Sequence, residues 1–324
     1  MKVHSELQEY FQSVLPDIEA CIREQITALN SYVYPVASHV LGSGGKRLRP
    51  LLCVLMAGAL GYRERAVYPL ASTLELVHSA TLLHDDILDN AELRRGEHAA
   101  HLVFGTKETI LAGDALLAQG NKIVSEYHNT DLVSCISEAI SSTVTGEILE
   151  IQKMSQTNLS RPEYLDIIKG KTGYLIQSSC ESGAILAGNR DEDREAARLL
   201  GLNLGVAFQL VDDALDYTSS SDLGKPMGGD LREGKITLPL IYFLQLLEAE
   251  EQKGFLARVK DKALTEQELE QTMRSIRSKG LHTRAREEAE TYLQAAYHAL
   301  AALPESREKS LLARMLEYIR HREN

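Results

Sequence analysis

The segment Asp85-Asp86-Ile87-Leu88-Asp89 recurs as Asp212-Asp213-Ala214-Leu215-Asp216. On a helix, residues three and four apart share a face, so each copy sets its carboxylates along one wall. A lone Asp-Asp-x-x-Asp is more often a solvated face or a helix cap. Here Leu82, Leu83, Ile87 and Leu88 flank the first copy, and Phe208, Leu210, Val211 and Leu215 flank the second. Acids left unpaired in apolar surroundings are costly, and divalent cations are the natural compensation. An oxygen-only donor set favours Mg2+ or Ca2+ over zinc or copper. Two such walls facing one cavity would suit Mg2+ that bridges to phosphate.

The chain carries cations to match. Gly42-Ser43-Gly44-Gly45-Lys46-Arg47-Leu48-Arg49-Pro50 combines glycines, which allow close backbone approach, with three cations in four residues, the makings of an anion site. It is not a nucleotide P-loop, because Arg47 rather than Ser or Thr follows Lys46 and no strand precedes it. A second glycine- and cation-rich loop runs from Gly224 to Lys235, Arg94-Arg95-Gly96 follows the first acidic motif, and Lys171-Thr172-Gly173 interrupts a helical run. Any one of these alone reads as a solvated charge cluster. Together with the acids they form a constellation in which metal holds one diphosphate and Lys and Arg cover the phosphates the metal does not.

The elements that must position these groups all read as helices. Apolar residues recur at three- and four-residue steps through 5–29, 50–60, 65–90, 106–127, 131–154, 161–187, 192–218, 236–249, 265–278, 281–302 and 306–320. No period-two alternation with turn signals appears, so the fold class is all-α with no sheet. Leu51–Leu60 and Thr73–Leu83 are apolar nearly all round and belong inside. Two long loops, 42–49 and 219–235, stand out in an otherwise tightly connected chain. With 324 residues, eight scattered prolines and no linker, residues 1–324 read as one domain. The net charge of −11 argues against a nucleic-acid surface. The polar, amphipathic start does not read as a signal peptide, and the longest apolar run, Leu51 to Leu60, is far short of a membrane span. Cys21, Cys53, Cys135 and Cys180 are widely spaced among apolar residues and read as reduced core cysteines of a cytoplasmic protein.

The residues 44–50 (GGKRLRP), 75–89 (ELVHSATLLHDDILD), 94–96 (RRG), 113–118 (GDALLA), 171–173 (KTG), 208–216 (FQLVDDALD) and 224–241 (GKPMGGDLREGKITLPLI) occur together and in order. In this the chain resembles the trans-type polyprenyl diphosphate synthases. The resemblance implies the isoprenoid-synthase fold, a bundle of long antiparallel helices around a central cavity, in a homodimer. It implies about three Mg2+ ions per site, with Asp85, Asp89 and Asp212 as principal ligands and Asp86, Asp213 and Asp216 completing the two clusters. Arg94, Lys171, Thr172, Gln209, Lys225 and Lys235 match contacts to the allylic diphosphate. Lys46, Arg49, His78 and Arg95 match the site for isopentenyl diphosphate.

The reaction so implied is head-to-tail 1'-4 condensation. The allylic C–O bond ionises, the double bond of isopentenyl diphosphate attacks the cation, and a proton leaves, without a protein nucleophile. His84, beside Asp85, is expected to be a packed or hydrogen-bonded histidine. Ala80 and Thr81, five and four residues before Asp85, are expected to line the product tunnel. In the resembled family, bulky aromatics there stop elongation. Ala and Thr, with no insertion in the first motif, point to a hexaprenyl-to-decaprenyl product, of the kind that becomes a quinone side chain, with a geranylgeranyl or farnesyl product as the alternative. Ile136, Ile140 and Val144 are candidate floor residues. A long product implies transient membrane contact on release without stable insertion. A terpene cyclase is disfavoured by the second Asp-Asp-x-x-Asp and the cationic loop at 44–50, and a head-to-head synthase by the lack of Asp-x-x-Glu-Asp. A di-iron bundle is disfavoured because Glu75-x-x-His78 is the only motif of its type, and a non-catalytic partner subunit because both acidic motifs are intact.

Overall fold

The apolar periodicities resolve into helices in a computed structural model that describes residues 2–154, 159–188, 190–218 and 228–322. In chain order they are α1 (Lys2–Thr27), α2 (Tyr34–Gly42), α3 (Leu48–Ala59), α4 (Val67–Leu88), α5 (Ala100–Phe104), α6 (Thr106–Ser125), α7 (Thr130–Met154) and α8 (Arg161–Ile168). A single π-helical turn, Lys169–Gly173, leads into α9 (Tyr174–Ala187) and α10 (Asp191–Leu215). Then come α11 (Gly229–Arg232), α12 (Leu238–Leu244), α13 (Ala249–Lys260), α14 (Glu266–Ser278), α15 (Leu281–Ala301) and α16 (Arg307–Arg320). The all-α expectation holds but for one antiparallel ribbon of two-residue strands, β1 (Leu93–Arg94) and β2 (Glu97–His98).

The chain divides into two compact units. One comprises Met1–Ile140, Ser178–Arg198 and Ala302–Arg314; the other comprises Ser141–Gln177, Leu199–Ala301 and Met315–Asn324. In the first, α4 packs against α1, α3 and α6. It is buried on every side (Leu70, Leu74, Leu76, Val77, Ala80 and Leu83 among others), as its lack of a polar face requires. Each such leucine removed from water contributes about 1.5–3 kcal/mol. Its buried hydroxyls are satisfied locally: Ser72 and Thr73 donate to the Pro69 carbonyl at 2.7 and 3.3 Å. In the second unit, α12 packs against α8, α14 and α15. Capping boxes, Ser160 with Glu163 and Thr265 with Glu268, start α8 and α14.

Several boundaries differ from the sequence reading. Helices α2, α5 and α13 were not expected, and the run 236–249 ends as a helix at Leu244. The loop expected over 42–49 shrinks to Ser43–Arg47, between α2 and α3. The cysteines are all free; Cys53, Cys135 and Cys180 are buried and Cys21 half-buried. Helix α7 is also long and apolar enough, by length and composition alone, to cross a membrane. Interspersed Ser and Thr hid this from a search for unbroken apolar runs. Val144 is 50% exposed, alongside the half-exposed Ile148 and Ile151, while Ile136 is buried. The three expected floor residues therefore do not share one interior wall, because four-residue steps drift around a 3.6-residue helix.

Candidate active site

Each acidic motif lies at the C-terminal end of its helix, α4 ending at Leu88 and α10 at Leu215. The macrodipole there is negative and works against carboxylates, so both triples need cations from outside their own helix. In both motifs the middle carboxylate is withdrawn into protein. Asp86 is 2% exposed and accepts from Arg94 Nε at 2.9 Å. Asp213 is 3% exposed and accepts from Tyr164 Oη at 2.6 Å and Gln209 Nε2 at 2.7 Å. Asp85, Asp89 and Asp212 keep accessible surface. Asp216 accepts the N–H groups of Gly229 and Asp230 at 3.0 and 3.1 Å, which ties the start of α11 to the motif.

In the first unit, a two-residue turn places the arginines that follow the acids. Arg95 (φ 54°) and Gly96 (φ 85°) both lie in the left-handed region, the signature of a type I′ hairpin turn. The turn folds Arg94 back onto Asp86. Burial alone would lower the Arg94 pKa, but the Asp86 hydrogen bond and the charges of Asp86, Asp85 and Asp89 raise it. Arg95 instead joins Arg49 and His78. Burial pushes the Arg49 guanidinium down to about 10; Glu75 opposes the fall and Arg95 adds to it. Burial first, then Arg49, Arg95, Arg94 and Arg47, holds the His78 imidazole well below its ordinary value, so it is neutral at pH 7. Among the described residues, Arg49 Nε is buried without a hydrogen-bond partner. Cations crowded against one another, with a buried donor left unpartnered, form a pocket that can receive an anion. Gly45 closes it: a Cβ there would lie 3.1 Å from Arg95 Nη1 and 3.2 Å from Arg47 Nη1. Lys46 is exposed on the same loop.

Arg47 departs from the expectation that all three loop cations serve the anion. Its left-handed backbone (φ 44°) turns the side chain inward. There it bonds Glu19 at 2.7 Å, Glu75 at 2.8 Å and the Leu41 carbonyl at 2.7 Å. Its charge is spent holding the loop to α1 and α4. Glu75, to which the sequence reading gave no role in the site, is its buried partner. His84 behaves as expected, with Nε2 3.1 Å from the Ile110 carbonyl, over the position where Gly113 leaves room for the ring. Ala80 is fully buried, whereas Thr81 keeps some surface and donates to the His78 carbonyl at 2.8 Å.

In the second unit, the π-helical turn explains why Lys171-Thr172-Gly173 breaks a helical run. Gly170 and Gly146 meet backbone to backbone: a Cβ on Gly146 would lie 2.7 Å from Gly170 Cα. A Cβ on Gly205 would lie 2.9 Å from Gly173 Cα. Gripped by α7 on one side and α10 on the other, the extra residue bulges and turns Lys171 and Thr172 into a cavity of about 210 Å3. Gln209, Asp213, Asp230 and Lys235 share its lining. Thr172 Oγ1 donates to Gln209 Oε1 at 3.0 Å, and Gln209 donates onward to Asp213, so the amide is fixed at both ends. Lys171 pairs with Glu147 at 3.0 Å and with Glu150. Burial works against its ammonium, but Glu150 and then Glu147 raise its pKa above the ordinary value. Lys235 Nζ bonds Glu233 at 2.7 Å. Lys225 lies outside the described residues.

Burial pushes the Asp213 carboxyl up to about 7; its hydrogen bonds oppose this and Asp212 and Asp216 reinforce it. Burial, then Asp213 and Asp216, raises Asp230 well above the carboxylate range. Tyr164, Glu147, Glu150, Asp230 and Arg322, which pairs with Asp212, were not in the sequence reading. Only Asp230 left a signal, inside the matched segment 224–241. Among the described residues no three His, Cys, Asp or Glu side chains close a protein-only metal cage. Mg2+ is usually held by one or two carboxylates, waters and substrate phosphates. The accessible outer carboxylates, at helix ends that call for cations, fit such an ion.

The polyprenyl synthetase family model matches residues 30–276. The chain is 39% identical over 300 residues to an all-trans-nonaprenyl-diphosphate synthase (geranyl-diphosphate specific) of Rhodobacter capsulatus, covering 91% of this chain and 90% of that one. It is 31% identical to the octaprenyl diphosphate synthase of Escherichia coli, covering 89% and 90%. It is 34% identical to a geranylgeranyl diphosphate synthase of Methanosarcina mazei, covering 90% of each. Among solved structures, a Caulobacter crescentus polyprenyl synthase complexed with calcium and isoprenyl diphosphate superposes with a TM-score of 0.90 at 33% identity, covering 98% and 97%. A decaprenyl diphosphate synthase of Rhodobacter capsulatus gives 0.91 at 31% identity, covering 99% of each.

Proposed function

Because the chain belongs to the polyprenyl synthetase family, we propose that it condenses isopentenyl diphosphate head-to-tail with an allylic diphosphate to make an all-trans polyprenyl diphosphate of hexaprenyl to decaprenyl length. The observation that carries this reading is the shared construction of the two acid triples: each sits at a helix C-terminus with its middle carboxylate locked by protein groups, while Asp85, Asp89 and Asp212 keep accessible surface. The family match runs across both units, which supports reading residues 1–324 as one functional domain.

In this reading Asp85, Asp89 and Asp212 would be the principal holders of the metal, directly or through water. Asp86 and Asp213, with Arg94, Tyr164 and Gln209 upon them, fix the helix ends that present the ligands. Bound Mg2+ supplies neutralisation of the charge that develops on the departing diphosphate. Lys171, Lys225, Lys235 and Arg94 add cationic contacts to that diphosphate. Thr172 and Gln209, hydrogen-bonded to each other, add polar contacts to the same diphosphate. Arg49, Arg95 and Lys46 receive the diphosphate of the second substrate, and neutral His78 donates a hydrogen bond rather than a charge. The double bond of isopentenyl diphosphate forms the new C–C bond, and the proton then lost passes to the released diphosphate.

The product length rests on the small residues Ala80 and Thr81 and on relatives named for octaprenyl and nonaprenyl products. A shorter product is the second reading, favoured by the complete burial of Ala80 and by the geranylgeranyl relative. A homodimer is supported by exposed apolar residues in each unit: Ile110, Leu111 and Val133 in the first, and Val144, Ile148 and Ile151 along α7 in the second, all at least 40% exposed. Glu147 and Glu150 on α7, paired with Lys171, argue for protein rather than lipid against that helix. A cytoplasmic location with transient bilayer contact during product release completes the reading. The test is incubation with Mg2+, labelled isopentenyl diphosphate and farnesyl diphosphate, followed by sizing of the dephosphorylated products. A ladder ending between hexaprenyl and decaprenol supports the whole reading. A geranylgeranyl end product keeps the reaction and overturns the length, and no incorporation with any allylic primer overturns the reaction.

A further inference from the structure

The segment that follows α16 reaches the second acid triple. Arg322 Nη2 lies 2.7 Å from Asp212 Oδ1, the arginine side chain being 11% exposed and the aspartate 46%. The same guanidinium stands over the Phe208 ring, 5.0 Å from its centroid. Phe208 and Asp212 are four residues apart, so one face of α10 offers the guanidinium an aromatic and a carboxylate together. The backbone behind it is strapped in place. Arg286 Nη2 donates to the carbonyls of Arg320 and Arg322 at 3.1 and 3.0 Å, and Arg320 Nη2 pairs with Glu290 at 2.7 Å. Asp212 stands at the negative end of α10 beside Asp213 and Asp216, where the dipole and two like neighbours both call for a cation.

Resting on the reading that Asp212 is a metal ligand, we propose that Arg322 is a removable counter-ion for Asp212, competing with the divalent cation for the same carboxylate. The arginine and the ion would exchange rather than add, because Arg322 already occupies the Asp212 carboxylate that the ion would need. Phe208 and the Arg286 strap would keep a displaced guanidinium within reach of Asp212. Metal affinity is therefore set below what Asp212 would give unopposed, by the strength of one partly buried ion pair.

The test titrates the full chain, stripped with EDTA, with Mn2+ alone, reading free Mn2+ by electron paramagnetic resonance. Wild type is compared with Arg322→Gln, Arg322→Lys and Asp212→Asn. Arg322→Gln is expected to bind Mn2+ roughly three- to tenfold more tightly and to melt lower in EDTA, the difference closing at saturating Mn2+. Arg322→Lys, which keeps the charge, stays near wild type. Arg286→Met, which unties the strap without touching Asp212, shifts affinity in the same direction and serves if Arg322→Gln folds poorly. Unchanged or weaker Mn2+ binding in Arg322→Gln, with Asp212→Asn still weakened, overturns the counter-ion while sparing the metal reading. Unchanged binding in Asp212→Asn overturns the metal reading itself, and the counter-ion with it.

Discussion

Gly146→Ala perturbs the site without replacing any of its charged or polar side chains. The new methyl would sit 2.7 Å from Gly170 Cα and 2.8 Å from the Lys171 backbone nitrogen, where ordinary contact begins at about 3.4 Å. The shortfall is about 0.7 Å, and the obstruction is backbone, so no side chain can rotate away. Either α7 or the π-helical turn must move by most of that distance. Overpacking of this kind costs about 1–3 kcal/mol. Because Lys171 and Thr172 ride on the turn, the reacting end shifts with it, and a misplacement approaching 1 Å is worth up to about 100-fold in rate. The expected outcome is a 10- to 100-fold fall in kcat/KM for incorporation of labelled isopentenyl diphosphate, with a lower melting temperature and the fold retained by circular dichroism. Wild-type kinetics in a folded Gly146→Ala protein would refute the claim that the glycine contact positions Lys171 and Thr172.

Arg47 and Arg49 should separate cleanly. Arg47→Met strands the buried Glu75 and should cost about 3–5 kcal/mol by chemical denaturation, whereas Arg49→Ala should fold normally and raise KM for isopentenyl diphosphate with little change for the allylic substrate. Equal stability losses would mean the two cations are not divided as described. Thr81→Phe should shorten the product, read by chromatography of the dephosphorylated chains; Ala80→Phe, at a fully packed position, should also cost about 1–3 kcal/mol of stability. Chains of unchanged length from both variants would move the tunnel elsewhere. The Asp213 carboxyl, raised from the ordinary range up to about 7, binds its proton more tightly folded than unfolded. Stability in EDTA should accordingly fall as pH rises from about 4 to 7, by on the order of 2–4 kcal/mol, then level off. Asp213→Asn should flatten that slope in thermal melts, and an identical slope in the variant would assign the dependence to other groups.

The parts of the site legible in the sequence were those that local chemistry dictates. Acid triples in apolar helical flanks and glycine-framed cations announce themselves because spacing alone sets which helix face or turn they occupy. What escaped depends on tertiary placement. Lys46, Arg47 and Arg49 are chemically alike in sequence, and only the left-handed backbone at Arg47 decides which one turns inward. Tyr164 meets Asp213 from another helix, and Arg322 meets Asp212 from a segment over a hundred residues away. Among the elements, α13 was missed because Phe255, Leu256 and Val259 are its only buried residues, too few for a clear period. The hairpin at Arg94–Glu97 was missed because two-residue strands carry no alternation. The break at Lys171 was visible as an interruption, but its cause is tertiary: Gly146 on α7 faces Gly170 and Gly205 on α10 faces Gly173, 24 and 32 positions apart.

Asp85, Asp89 and Asp212 are proposed to hold the metal while Asp86 and Asp213 stay bound to protein groups. Crystals grown with Mn2+ and inorganic diphosphate, measured at the manganese absorption edge, test it directly. The account predicts anomalous peaks within coordination distance of Asp85, Asp89 and Asp212, with Asp86 still on Arg94 and Asp213 still on Tyr164 and Gln209. Peaks on Asp86 or Asp213, with those hydrogen bonds broken, or diphosphate bound with no metal at either motif, would contradict it.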